Sequence, residues 1–219
     1  MATWIVHLRI ADRLIEKYNI NHKKEFVVGS VSPDCGYGVK DSFGEFTPPP
    51  EITHWAPGGV KKHCRYKDFY NEYLSDKEKN SDYYFYLAYY IHLLTDIMWS
   101  SFIYLPTTIK YADEYKQNPH YLKTIKQDWY DLDFRFLAGT PDFSAYEILK
   151  ECRKIKDYLP YYEKNQLSSQ VSYIADYYSD SSSRNIDREY PFLNEDDVNE
   201  FINCVSEIIE YDLQRKNLI

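Results

Sequence analysis

The chain has 219 residues, 44% of them hydrophobic and 27% charged, which is enough apolar surface for one sizeable core and too much for a disordered segment. Its formal net charge is -8 and it has no dense Lys/Arg block, which excludes the electrostatic footprint of a stable nucleic-acid scaffold binder or of a protein held on an anionic membrane. Cys35, Cys64, Cys152 and Cys204 are scattered without a C-x-x-C pair, so they form neither a ligand knuckle nor a disulfide framework and are expected as reduced core thiols.

In chain order, residues 4–18 place Trp4, His7, Leu8, Ala11, Ile15 and Tyr18 at helical spacing, and no clean apolar run makes this segment a secretion signal, because Arg9, Asp12 and Arg13 interrupt it. Residues 26–60 hold most of the glycine and proline and read as a long ordered loop, with FVVGSV as the one strand candidate. A loop of that length in a compact domain points to a site. Helices are predicted over about 64–75, 81–105, 118–138, 144–157, 163–179 and 195–214. Asn194 caps the last of these ahead of Glu195 and Asp197, and the 81–105 helix is apolar on nearly every side and therefore central. Residues 180–192 read as a surface crossing. The expectation is an all-α, single-domain bundle over 1–219 with about seven or eight helices, cytoplasmic and without a transmembrane segment, since no run of about 18 apolar residues occurs.

Chemistry concentrates where polar groups interrupt apolar faces. In LAYYIHLLTDIMW, His92 and Asp96 are four residues apart and stack on one helix face, about 6 Å from each other. Either the histidine bonds its neighbouring aspartate as core structure, or the pair grips a metal ion; the surrounding Ile91, Leu93, Leu94 and Trp99 leave an ionised carboxylate in need of a strong partner. His7 repeats the pattern within its own stripe. Asp133 shares a core-facing stripe with Trp129, Leu132, Phe136 and Leu137, whereas Asp128 and Asp131 fall off it and read as a solvated face, Asp128 the better candidate of the two. Asp34 and His54 stand in the Gly/Pro-rich loop, where a fixed backbone suits a preformed site. The mixed nitrogen and oxygen donors of His7, Asp34, His54, His92, Asp96 and Asp133, with Asp128 in reserve, suit zinc or another divalent metal. His22, His63 and His120 lie in polar stretches and are excluded.

The segments H-L-R-I-A-D from His7, V-G-S-V-S-P-D-C from Val28, T-H-W from Thr53 and Y-Y-I-H-L-L-T-D-I-M-W from Tyr89 resemble the zinc-dependent phospholipase C family, which is related to fungal single-strand-specific zinc nucleases. The resemblance spans most of the chain and implies an all-α bundle that cleaves a phosphodiester with a metal-activated water. It further implies that His54, His92, Asp96 and Asp34 hold one ion, that His7 holds a neighbouring ion bridged by Asp96, and that Asp34 is also the general base. Secreted relatives ligate metal through a processed N-terminal tryptophan, while Trp4 here follows Met-Ala-Thr. They place a histidine where this chain has Phe102, and their H-x-x-x-E pair is unmatched near Trp129 to Asp133. Two ions are therefore expected rather than three. The implied substrate is a phospholipid or another phosphodiester; a nuclease-like phosphodiesterase, a metal-stabilised binding protein of weak or no activity, and a metal-free helical protein remain alternatives, and the oligomeric state is open.

Overall fold

The computed structural model describes residues 2–40, 45–118, 120–182 and 184–219. The fold is all-α. Helix α1 (Trp4–Tyr18) turns Ile5, Leu8, Ala11 and Leu14 into the core. It stops at Asn19, whose φ of 48° lies in the left-handed region, and the Ile20 N–H reaches back to the Ile15 carbonyl at 3.1 Å, the closure that satisfies a helix's last acceptors.

Helix α2 (Lys23–Val31) corrects the reading of FVVGSV as loop or strand. Phe26 to Val31 are all buried, and a short run that is apolar on every side has no periodicity to tell a strand from a buried helix. It packs along α5 (Ser81–Trp99) so closely that a Cβ on Gly29 would collide with the Phe85 carbonyl. A 3-10 turn (Ser32–Asp34) follows, then the paired strands β1 (Tyr37–Gly38) and β2 (Phe46–Thr47), and the single turn α3 (Pro50–Thr53). The Gly/Pro-rich segment is thus shorter than expected, and buried hydrogen bonds hold it. Gln166 Nε2 donates to the carbonyls of Cys35 at 3.0 Å and Thr47 at 2.8 Å, Tyr162 donates to the Ser32 carbonyl at 2.5 Å, and Tyr89 donates to the Thr53 carbonyl.

Two further 3-10 turns (Pro57–Gly59 and Lys61–His63) lead to α4 (Tyr66–Tyr73). Helix α5 starts at Asn80, whose side chain accepts from the Tyr83 N–H at 3.1 Å, and is buried along most of its length. It widens into a π turn (Ser100–Tyr104) before α6 (Leu105–Lys110) and α7 (Ala112–Gln117), so the long predicted helix ends in short pieces. Then come α8 (Tyr121–Gly139), α9 (Ser144–Glu151), α10 (Gln166–Tyr177) and α11 (Glu195–Arg215). The last begins with the expected cap: Asn194 Oδ1 accepts from the Asp197 N–H at 2.9 Å, and the Asp197 side chain accepts in return.

One hydrophobic cluster runs from Ala2 to Leu218. Cys35, Cys64 and Cys152 are buried free thiols as expected, but Cys204 is exposed on α11, a correction to its reading as a core thiol. None of the described helices is long and apolar enough to cross a membrane.

Candidate metal centre

Four separate segments bring five of the predicted residues to one point. His92 and Asp96, one turn apart on α5, lie with Nε2 and Oδ2 at 3.6 Å. From α1, His7 stacks its ring on His92, centroids 3.7 Å apart and planes 7° from parallel, with Nε2 3.7 Å from Asp96 Oδ1. From the turn after α2, Asp34 brings Oδ1 within 3.1 Å of His54 Nε2, and His54 follows directly on α3. The chain leaves His54 through Trp55, whose φ of 50° is costly for a bulky residue; the Trp55 ring is braced edge-on against Phe69. The donor atoms form two groups, His7, Asp34 and His92 in one and His54, His92 and Asp96 in the other, the atoms of each group within 4.8 Å of one another.

Hydrogen bonds on the outer side set the tautomers. His92 Nδ1 is 2.7 Å from the Ser30 carbonyl, which can only accept, so Nδ1 carries the proton and the Nε2 lone pair faces the cluster. His54 Nε2 receives a hydrogen bond from Lys61 Nζ at 2.6 Å; an ammonium can only donate, so the His54 proton sits on Nδ1, beside Thr53 Oγ1 at 2.9 Å. Burial first, and then the neighbouring His92, lowers His7 to about 4. Burial and then Lys61 lower His54 to about 4. Both imidazoles are therefore neutral at neutral pH, the form in which histidine binds metal.

The carboxylates behave in the opposite sense. Burial by itself raises Asp34 and Asp96, but Lys61, joined by the neighbouring histidines and, at Asp96, by the N-terminal amine, outweighs burial and holds both below the usual carboxylate range. What remains is a buried set of acceptors facing one another, His54 Nε2 and His92 Nε2 being 3.3 Å apart. Among the described residues, His7 Nε2, 3.7 Å from Asp96 Oδ1, and Asp34 Oδ2 are buried with no hydrogen-bond partner, a costly state for two polar atoms and one that a divalent cation relieves. The residues fit a zinc ion by donor type, protonation state and unsatisfied lone pairs.

Two predicted residues stand apart from this cluster. Asp133 faces inward as its stripe requires, but its oxygens accept from Thr3 Oγ1 at 2.7 Å and Tyr178 OH at 2.6 Å. Asp128 and Asp131 are buried rather than solvated, a correction to the surface reading of that face. Arg188 spans them at 2.6 and 2.8 Å, Arg184 reaches Asp131 at 3.1 Å, and the Phe192 N–H donates to Asp128 at 2.8 Å. The segment read as a surface crossing thus supplies their counter-ions. His63 and His120 are exposed and His22 is partly so, as their polar surroundings imply.

Sequence reasoning missed Lys61. It lies in GGVKKHCRY, a stretch with the pattern of an ordinary polar surface and no spacing that ties it to α5. Gly58 and Gly59, with φ of 63° and 70°, turn the chain back, and the Arg65 N–H closes the loop on the Trp55 carbonyl at 2.8 Å, which swings Lys61 over the cluster. Its Nζ is 2.6 Å from both His54 Nε2 and Asp96 Oδ2 and 3.6 Å from Asp34 Oδ1.

Asp34 and His54 line the floor of a cleft of about 420 Å³ with walls that include Trp4, Phe46, Pro48, Tyr130 and Tyr173. A helical bundle with a buried His/Asp cluster beside an aromatic cleft is the class of protein these features define. The family model for zinc dependent phospholipase C matches residues 6–205, and the chain belongs to that family. No curated protein and no solved structure matches the chain.

Proposed function

We propose that the protein is a zinc-dependent hydrolase of phosphoric esters acting on a phosphodiester, phospholipids among the candidates. The observation that carries the reading is the pair of buried polar atoms, His7 Nε2 and Asp34 Oδ2, left without partners among the described residues beside a cleft. His7, Asp34 and His92 would hold the zinc ion, which would supply a Lewis acid for the phosphoryl oxygens and for a water. Asp34 forms part of the floor and is ionised at neutral pH, so it accepts a hydrogen bond from the attacking water and receives its proton as the phosphorus–oxygen bond forms. Trp4 and Tyr173, which meet edge to face, offer an apolar wall for the rest of the ester.

The test is zinc-dependent release of p-nitrophenol from a p-nitrophenyl phosphodiester, run beside phospholipid vesicles and single-stranded nucleic acid to separate substrate classes. Turnover that vanishes with chelator and returns with zinc supports the reading. Zinc binding without turnover on any of the three leaves the second reading, a metal-stabilised binding protein, which the presence of Lys61 inside the donor set favours.

A further inference from the structure

We propose that Lys61 is a resident cation of the metal centre: its ammonium holds the position between His54 and Asp96, and zinc takes the position at His7, Asp34 and His92. The inference rests on the metal-centre reading above and concerns how the two donor groups share their cations.

The two groups differ in what satisfies them. At the first, His7 Nε2 and Asp34 Oδ2 are buried without partners among the described residues. At the second, Lys61 donates to His54 Nε2 and to Asp96 Oδ2, both at 2.6 Å, and lies 3.6 Å from Asp34 Oδ1. The ammonium thus takes the place of a small cation, with two hydrogen bonds, to His54 and Asp96, and a longer ion pair to Asp34 in place of coordination. The side chain is 11% exposed, so water does not screen the contact, and the loop that carries it is shaped for the purpose by Gly58, Gly59 and the bond from Arg65 to Trp55.

Charge decides whether ammonium and a second divalent ion can share the site. Asp34 and Asp96 are the two carboxylates whose oxygens face it. A second zinc at His54 and Asp96 would have to displace Lys61 or lie against it, where two cations at hydrogen-bond distance repel strongly in a buried site.

Wild-type protein, Lys61→Met and Lys61→Gln, each checked for folding by circular dichroism and melting, are loaded with excess zinc and desalted, and bound zinc per chain is measured by elemental mass spectrometry. Both substitutions are expected to bind one zinc ion more than the wild type. Equal or lower zinc in the folded variants overturns the proposal, while zinc absent from all three proteins removes the metal-centre reading with it. A second measurement needs no variant. Acetylation of the wild type, read by peptide mass spectrometry, is expected to spare Lys61 equally with and without zinc, and reactivity of Lys61 that appears on zinc loading would mean that the ion expels it.

Discussion

The molecule contains two buried acidic clusters that look alike by composition and differ in what completes them. Asp128 and Asp131 on α8 meet Arg184, Arg188 and the Phe192 backbone, so the cluster is closed by the protein itself. Asp34 and Asp96 meet the ring edges of His7, His54 and His92, one lysine and the Ala2 N–H, and among the described residues Asp34 Oδ2 and His7 Nε2 remain over. A buried carboxylate with a guanidinium fork is a structural fastening, whereas a buried carboxylate among lone pairs is half of a site that a cation completes.

The sharpest test of this contrast is His92→Ala. It removes the one imidazole common to both donor groups, so zinc affinity should fall more than about 100-fold, beyond what losing a supporting hydrogen bond costs. Zinc at 100 times its Kd should raise wild-type stability by about 2.7 kcal/mol, and this rise should vanish in the variant. Calorimetric titration and zinc-dependent melting read both, and unchanged zinc stoichiometry would remove His92 from the ligand set.

Arg188→Met should do the reverse, costing about 3 kcal/mol by leaving two buried carboxylates short of a partner while zinc stoichiometry stays as in the wild type. Chemical denaturation with parallel metal analysis checks it; a loss of zinc would show that the two clusters are not independent.

Gly29→Ala probes the scaffold they share, because the added methyl must push α2 from α5 and move the Ser30 carbonyl that orients His92. A loss of about 2 kcal/mol is expected from overpacking, with weaker zinc binding alongside.

The effect that depends on pH belongs to Asp133, which is part of neither cluster. Burial raises its carboxyl from 3.8 to about 7, against the hydrogen bonds from Tyr178 and Thr3 and the nearby Arg9. Between those values the folded chain holds a proton that the unfolded chain has released, so its contribution to stability is full below about pH 4 and is lost as pH rises towards 7. Asp133→Asn should flatten that slope in denaturation curves measured across the range, and an unchanged slope would place the titration elsewhere.

The sequence by itself determined the helices whose apolar stripes repeat at 3.6 residues, the Asn194 cap, and the meeting of His92 and Asp96 on one face of a central helix. These are local consequences of backbone geometry, and His7 was legible for the same reason, as a polar group within an apolar stripe. Only the tertiary structure decided the rest, because the deciding partners come from distant segments. FVVGSV is helical through its close packing on α5, which no period in six buried residues announces. Asp128 is buried because Arg188, 60 residues further on, folds over it, and Cys204 is exposed at the edge of a groove it shares with Phe102 and Phe192. Lys61 reaches Asp96 across 35 residues through a glycine-turned loop, and an ammonium reads the same in sequence whether it faces water or closes a site.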